Sequence, residues 1–263
     1  MKMQVVNIIT GIVLLAGTFF LLGFSMESNS RTPVNDLVVS VDQRDGIQFI
    51  DEQQIRAMVK KFMEARKDSL AGNIQLRELE QLIAGLPHVQ RAHAYRTIDG
   101  SIHIKTSQKK PLLRVITSHN DSYYIDTNGG MIPLSGRYTA RVMVATGHIH
   151  NPYSAVVNLK EEVSSKKNQD NEKRLRELFQ LVEYINQDTF WNAIIDHIYV
   201  TPKGEFELIP KNGNHIVEFG KIDRMEQKFT KLYSFYQHGL SRVGWHHYSR
   251  VNLKFNNQIV CSK

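Results

Sequence analysis

The chain has 263 residues, 41% of them hydrophobic and 22% charged, and its 33 Lys and Arg against 26 Asp and Glu leave a formal net charge of +7. These proportions belong to a folded globular protein and exclude collagen-like, disordered and multi-span membrane classes. A single cysteine, Cys261, rules out an internal disulfide framework and the Cys-rich zinc modules.

The first predicted element is a membrane anchor. Val5 to Phe24 is uncharged, with Asn7, Thr10 and Thr18 as its polar residues, and about 20 such residues span a bilayer as a helix. Leu22 to Met26 offers no small-x-small cleavage site, so the span is read as uncleaved. Lys2 and the free amine precede it, whereas Glu27 and Arg31 nearly cancel after it, which puts the amino end inside and the rest of the chain outside the membrane. That compartment is the periplasm in a diderm bacterium. Ser28 to Pro33 then reads as a polar linker.

Folding is expected to begin with a strand at Leu37 to Val41. Asp51, followed three residues later by Gln54, resembles a capping box, and Ile55, Met58, Val59 and Phe62 lie on one helical face. A second helix is predicted from about Leu76 to Ala84, with Leu79, Leu82, Ile83 and Leu86 apolar and Gly85 and Pro87 as stop signals. Two β-runs, Val89 to Thr97 and Ser101 to Thr106, flank Asp99-Gly100, a hairpin-turn dipeptide. The order strand, helix, helix, strand, strand makes a small α+β unit with both helices on one face of its sheet.

From Leu112 the pattern becomes β-rich. Runs are predicted at Leu112 to Thr117, Tyr123 to Ile125, Arg141 to Ala145, Ile194 to Val200, Glu205 to Ile209, His215 to Phe219 and Tyr248 to Val260, with Gly and Pro turns between them. Two helices interrupt the series: Leu175, Leu178, Val182 and Ile185 mark one, and Met225, Phe229, Leu232 and Phe235 the other. Ser164 to Lys173 reads as a polar loop leading into the first. No repeat of fixed period occurs, which argues against a solenoid or propeller.

Reactive constellations are sparse. The chain has no G-x-S-x-G elbow, P-loop, G-x-G-x-x-G or H-E-x-x-H motif. Cys261 lies too near the end of the sequence to be surrounded by a nucleophile's pocket. His148 and His150, and the adjacent His246 and His247, lack carboxylate or thiolate company at ligand spacing, so a surface role is favoured over metal binding. No cofactor, metal or nucleic-acid site is expected, the basic residues being dispersed. An interaction protein fits best, and a β-rich domain can offer a partner the unpaired N–H and C=O groups of an edge strand.

In several segments the chain resembles the FtsQ/DivIB family of bacterial division proteins. One span leading into LVVSVDQRDGIQFIDEQQI looks like the first strand and helix of a POTRA domain, and LPHVQRAHAYRTIDGSIHIKTSQKKPLLRV is similar to the family's strand, hairpin and connection. Asp99, Gly100 and Ser107 to Lys110 depart from the residues usual there. YYIDTNGGMIPL, with Asp126 and Gly129, resembles an Asp-x-x-Gly hairpin. HIVEFGKIDRMEQKFTKLYSFY resembles the family's late strand, Gly turn and helix, and RVNLKFNNQIV its closing segment, where Asn252, Lys254 and Phe255 stand in for Asp, Arg or Lys, and Tyr.

The resemblance implies an α+β protein in five parts: a cytoplasmic end (1–4), a transmembrane helix (5–24), a linker (25–36), a POTRA-like domain (37–108) and a β-domain with flanking helices (109–263). It also implies a non-enzymatic, single-pass component of the division septum. FtsB-like and FtsL-like partners, among other divisome proteins, are expected, with a link to septal peptidoglycan synthesis. The family's partner adds a strand at the final strand of the β-domain, and the matching positions are Lys254, Phe255, Asn256, Asn257, Gln258, Ile259 and Val260. Val251 and Leu253 read as core of that strand. Two other functions compete: a POTRA-type envelope assembly or polypeptide transport module, which would normally carry several such units and a barrel, and an anchored cell-wall hydrolase, for which no constellation is recognised.

Overall fold

The computed structural model describes residues 11–18, 34–66, 74–161 and 169–263. Of the predicted span Val5–Phe24, residues 11–18 are described, as helix with every residue exposed; the rest of the span lies outside the described residues. Among the described residues no helix is long and apolar enough to cross a membrane. The chain divides into two compact units, Met1–Gln108 and Lys109–Lys263.

In the first unit β1 (Leu37–Val41) leads to α1 (Glu52–Arg66), α2 (Leu76–Ala84), β2 (Val89–Arg96) and β3 (Ile102–Gln108). β3 is central, parallel to β1 and antiparallel to β2. The Asp51 carboxylate accepts the Gln54 N–H at 2.7 Å, satisfying one of the free donors at the start of α1. Ile55 and Val59 of α1 and Leu79 and Ile83 of α2 are buried. Leu82, expected on that apolar face, is instead 40% exposed. The hairpin closes through three residues, Ile98, Asp99 and Gly100, with Gly100 at φ +86°. Gly accepts that left-handed conformation without the steric cost of a Cβ. Hydrogen bonds from Ser101 and Thr97 lower the exposed Asp99 carboxyl to a pKa of about 2. Gln108 is buried and works as a clip: its Oε1 accepts Ile50 N–H, and its Nε2 donates to the carbonyls of Asp42 and Ile47.

The second unit holds one nine-stranded sheet. Its strands are β4 (Pro111–Ile116), β5 (Ser122–Asp126), β6 (Met131–Pro133), β7 (Met143–Gly147), β8 (Ile195–Val200), β9 (Phe206–Pro210), β10 (Ile216–Gly220), β11 (Arg250–Asn252) and β12 (Val260–Ser262). They lie in the order β12-β11-β10-β9-β8-β7-β4-β5-β6. α3 (Gln169–Gln187), α4 (Thr189–Ile194) and α5 (Met225–Phe235) share one core with the sheet, Leu175, Leu178, Val182 and Ile185 of α3 being nearly inaccessible. A π-helical turn, Tyr236–Leu240, and the short α6, Ser241–Val243, continue α5.

α3 already begins at Gln169, so the end of the predicted 164–173 loop is its first turn, where Asp170 and Glu172 suit the positive end of the helix dipole; residues 162–168 lie outside the described residues. α4 escaped prediction, being too short to show a period, although Asp188 caps it by accepting the N–H groups of Phe190 and Trp191. The predicted run Tyr248 to Val260 is two strands, β11 and β12, joined by a loop and paired antiparallel.

The buried His215 and the half-buried His197 predict a pH dependence for this unit. His215 shares a hydrogen bond between its Nε2 and the Tyr236 hydroxyl (2.9 Å), and His197 one with Thr146 Oγ1 (2.8 Å). Burial pushes both pKa values down. The unfolded chain then binds more protons below about pH 6.5, so the stability these neutral rings contribute is present above that value and lost as pH falls through it. The melting temperature is expected to drop between roughly pH 7.5 and 5.5, and His215→Gln should flatten that drop, as measured by thermal melts across the range. An unchanged slope would assign the titration to other groups.

Candidate functional site

The two rims of the large sheet differ. β6 is three residues long and ends in Pro133; Gly130 beside it bridges to Asn158, and Ser154 N–H contacts Met131 Sδ. Short length, proline and covering chain blunt that rim against further pairing. β12 forms the other rim, with Val260 44% exposed.

Which groups of β12 face outward follows from its neighbours. Ile216 N–H donates to the Ser249 carbonyl (2.9 Å) and Leu253 N–H to the Glu218 carbonyl (3.0 Å), so Val251 between them turns its backbone toward β10, whereas Ser249 N–H donates to the Ser262 carbonyl on the other side (2.9 Å). Backbone direction alternates along a strand. Arg250 and Asn252 therefore face their partners Ser262 and Val260, and Cys261, opposite Val251, turns its N–H and C=O away from the sheet. An incoming strand meets that residue first.

The side chains around the rim divide by face. Val217, Leu208 and Val251 enter the core, whereas Glu207, Glu218, Arg250 and Asn252 stand on the opposite face. There Arg250 bridges Glu218 and Glu207, and Asn252 Nδ2 donates to Glu218. Hydrogen bonding to Glu218, reinforced by the charge of Glu207, raises the Arg250 pKa above its ordinary value. Lys254 completes the network at 3.2 Å from Glu205 and 3.7 Å from Glu218. Its stem crosses Gly220 (φ +76°), where an added Cβ would lie 2.8 Å from Lys254 Cγ. Glycine is thus required both for the turn and for the close approach.

The structure brings the seven predicted partner residues together, but not as one strand. Lys254 to Ile259 form the loop between β11 and β12, and Val260 alone belongs to the rim strand. The Asn252 carboxamide oxygen accepts Lys254 N–H (2.9 Å) and turns the chain out of β11. Asn257 adopts φ +54°, and Lys231 Nζ holds the Phe255 carbonyl at 2.7 Å. Phe255 is 47% exposed, and Ile259 packs partly against the core. Cys261 and Ser262, which carry the rim onward, were missed, because the alternation of Val251, Leu253 and Phe255 reads as unbroken strand. The paired Asn256-Asn257 was the available turn signal.

Catalytic chemistry finds little support at the same groups. Burial raises the Cys261 pKa, which keeps the thiol protonated and weakly nucleophilic at neutral pH. His119, His148 and His150 lie near one another, with ring centroids 6.0 and 6.2 Å apart, and Ser118 Oγ contacts His150 Nδ1. Among the described residues no group of three or more His, Cys, Asp or Glu is set to hold a metal ion.

Comparison with known families places both units. Residues 110–262 match the family described as FtsQ/DivIB, C-terminal related, and residues 33–107 match the POTRA-like domain. No curated protein matches the chain significantly.

Proposed function

Because the chain belongs to the FtsQ/DivIB family of cell-division proteins, we propose that it is a membrane-anchored divisome scaffold that captures an FtsB-like partner, with its FtsL-like companion, by strand addition to β12. The observation that carries this reading is the open rim, where Cys261 presents an outward N–H and C=O beside the exposed Val260. Main-chain bonds supply affinity in such pairing, and flanking side chains supply selectivity. Phe255 and Ile259 are suited to that second task, as are Lys254, Asn256, Asn257 and Gln258 on the loop. Val5–Phe24 would hold the chain in the cytoplasmic membrane, with the POTRA-like domain and the β-domain outside, and the captured partners would pass the connection on to septal peptidoglycan synthesis.

Localisation tests the reading. A fluorescently tagged full-length chain should concentrate at midcell in dividing cells. An even distribution around the envelope would favour the transport-module or hydrolase alternatives and refute a division role.

A further inference from the structure

The loop that leads into the rim strand is backed by concentrated positive charge. Arg224, Lys228 and Lys231, on and just before α5, line a cavity of about 200 Å³ together with Leu253, Asn256 and Asn257. One carboxylate serves the first two cations: Asp223 accepts from Arg224 Nε (3.0 Å) and from Lys228 Nζ (2.9 Å). Lys228 is itself buried, donates to the Lys221 carbonyl (2.6 Å) and lies 4.9 Å from the centre of the Phe219 ring. Lys231 is held differently, by the carbonyls of Leu253 (3.4 Å) and Phe255 (2.7 Å), and among the described residues no carboxylate lies within ion-pair distance of it.

Three cations against one carboxylate leave a surplus of positive charge in a partly enclosed space. Burial, followed by repulsion from Arg224 and Lys228, pushes the Lys231 pKa below its ordinary value, so the site as it stands disfavours the very charge it carries. An incoming anion would relieve that repulsion, and its attraction is less screened here than on open surface. Position then selects the anion. The cavity opens beside the loop entering the amino-terminal end of β12, so a strand lying antiparallel on β12 would finish there. We propose that the cavity receives a carboxylate side chain from the polypeptide captured at the rim, supplied by an Asp or Glu just beyond the paired segment. Lys231 thereby joins rim and cavity: its ammonium holds the loop through two carbonyls and faces the incoming acid.

This inference rests on strand addition at β12, and its test separates the two. Full-length chain in detergent is titrated with two labelled peptides copied from the strand-forming segment of the FtsB-like protein of the same cell, one natural and one with its Asp and Glu replaced by Asn and Gln. The natural peptide should bind roughly tenfold tighter, with the difference shrinking at high salt. Lys231→Met should erase the difference between the peptides, and Lys231→Arg should keep it. The amide peptide reports any loss that comes merely from untying the loop. If both peptides bind wild-type chain equally, or the difference survives Lys231→Met, the cavity has no such role and strand capture stands. If neither peptide binds, strand capture fails and this inference falls with it.

Discussion

Replacing Cys261 with proline is expected to weaken partner capture strongly while leaving the β-domain folded. Val260 and Ser262 spend their backbone groups on β11, whereas the N–H of Cys261 points away from the sheet. Proline at that position removes only an outward donor, and proline is tolerated in edge strands on their solvent side. Its ring restricts the preceding Val260 to the extended conformation that residue already has in β12. An incoming strand, by contrast, would meet a ring in place of a donor and bury an unsatisfied carbonyl, which costs about 1–3 kcal/mol, or roughly fivefold to more than a hundredfold in affinity. Cys261→Ser keeps the donor and should bind normally. Val260→Pro removes an inward bond and should lower the melting temperature as well. Titration with an FtsB-like peptide, paired with thermal melts of each variant, checks these outcomes; tight binding by Cys261→Pro would show that capture occurs elsewhere.

Phe229→Ala should produce the largest loss of stability, about 3–5 kcal/mol. Phe229 is 2% exposed and sits where three helices meet the sheet: its ring centroid is 4.9 Å from Tyr184 of α3, 5.0 Å from Trp191 of α4 and 5.1 Å from Phe219 of β10. Truncation would remove the transfer free energy of the ring and leave a cavity that neighbours fixed on three different elements cannot readily fill. Phe229→Leu should cost considerably less. Because α5 also carries Lys231, the alanine variant should release the 253–257 loop before the domain melts globally. Denaturant titration measures the first effect, and hydrogen exchange at Phe255 and Asn256 the second; a midpoint close to wild type would mean that the helices are held chiefly by other contacts.

Much of the fold was legible where local rules operate. Asp51 caps α1 as its spacing to Gln54 suggested, the apolar residues of α3 are buried at their helical interval, and the hairpin turns at Gly100. Short elements were harder to see. The six residues of α4 complete too few turns for a periodic signal, and Asp188 was the single clue. At the candidate site the seven residues were located in the right region, but their conformation was misread. Hydrophobic alternation continues through Leu253 and Phe255, whereas the chain leaves the sheet at Asn252 because a side-chain oxygen, a left-handed Asn257 and the distant Lys231 hold it in a loop.

The order of residues was enough by itself to determine an α+β fold, the period of its elements and a resemblance to a division family, since each depends on neighbours a few positions apart. Only the tertiary structure decided that β12 is the open rim, that Cys261 turns its backbone outward and that Lys231 lies behind the loop. Those facts follow from strand order, and strand order is settled by pairings such as β7 with β8 and β10 with β11, between segments far apart in the chain, whose packing energies no local pattern records.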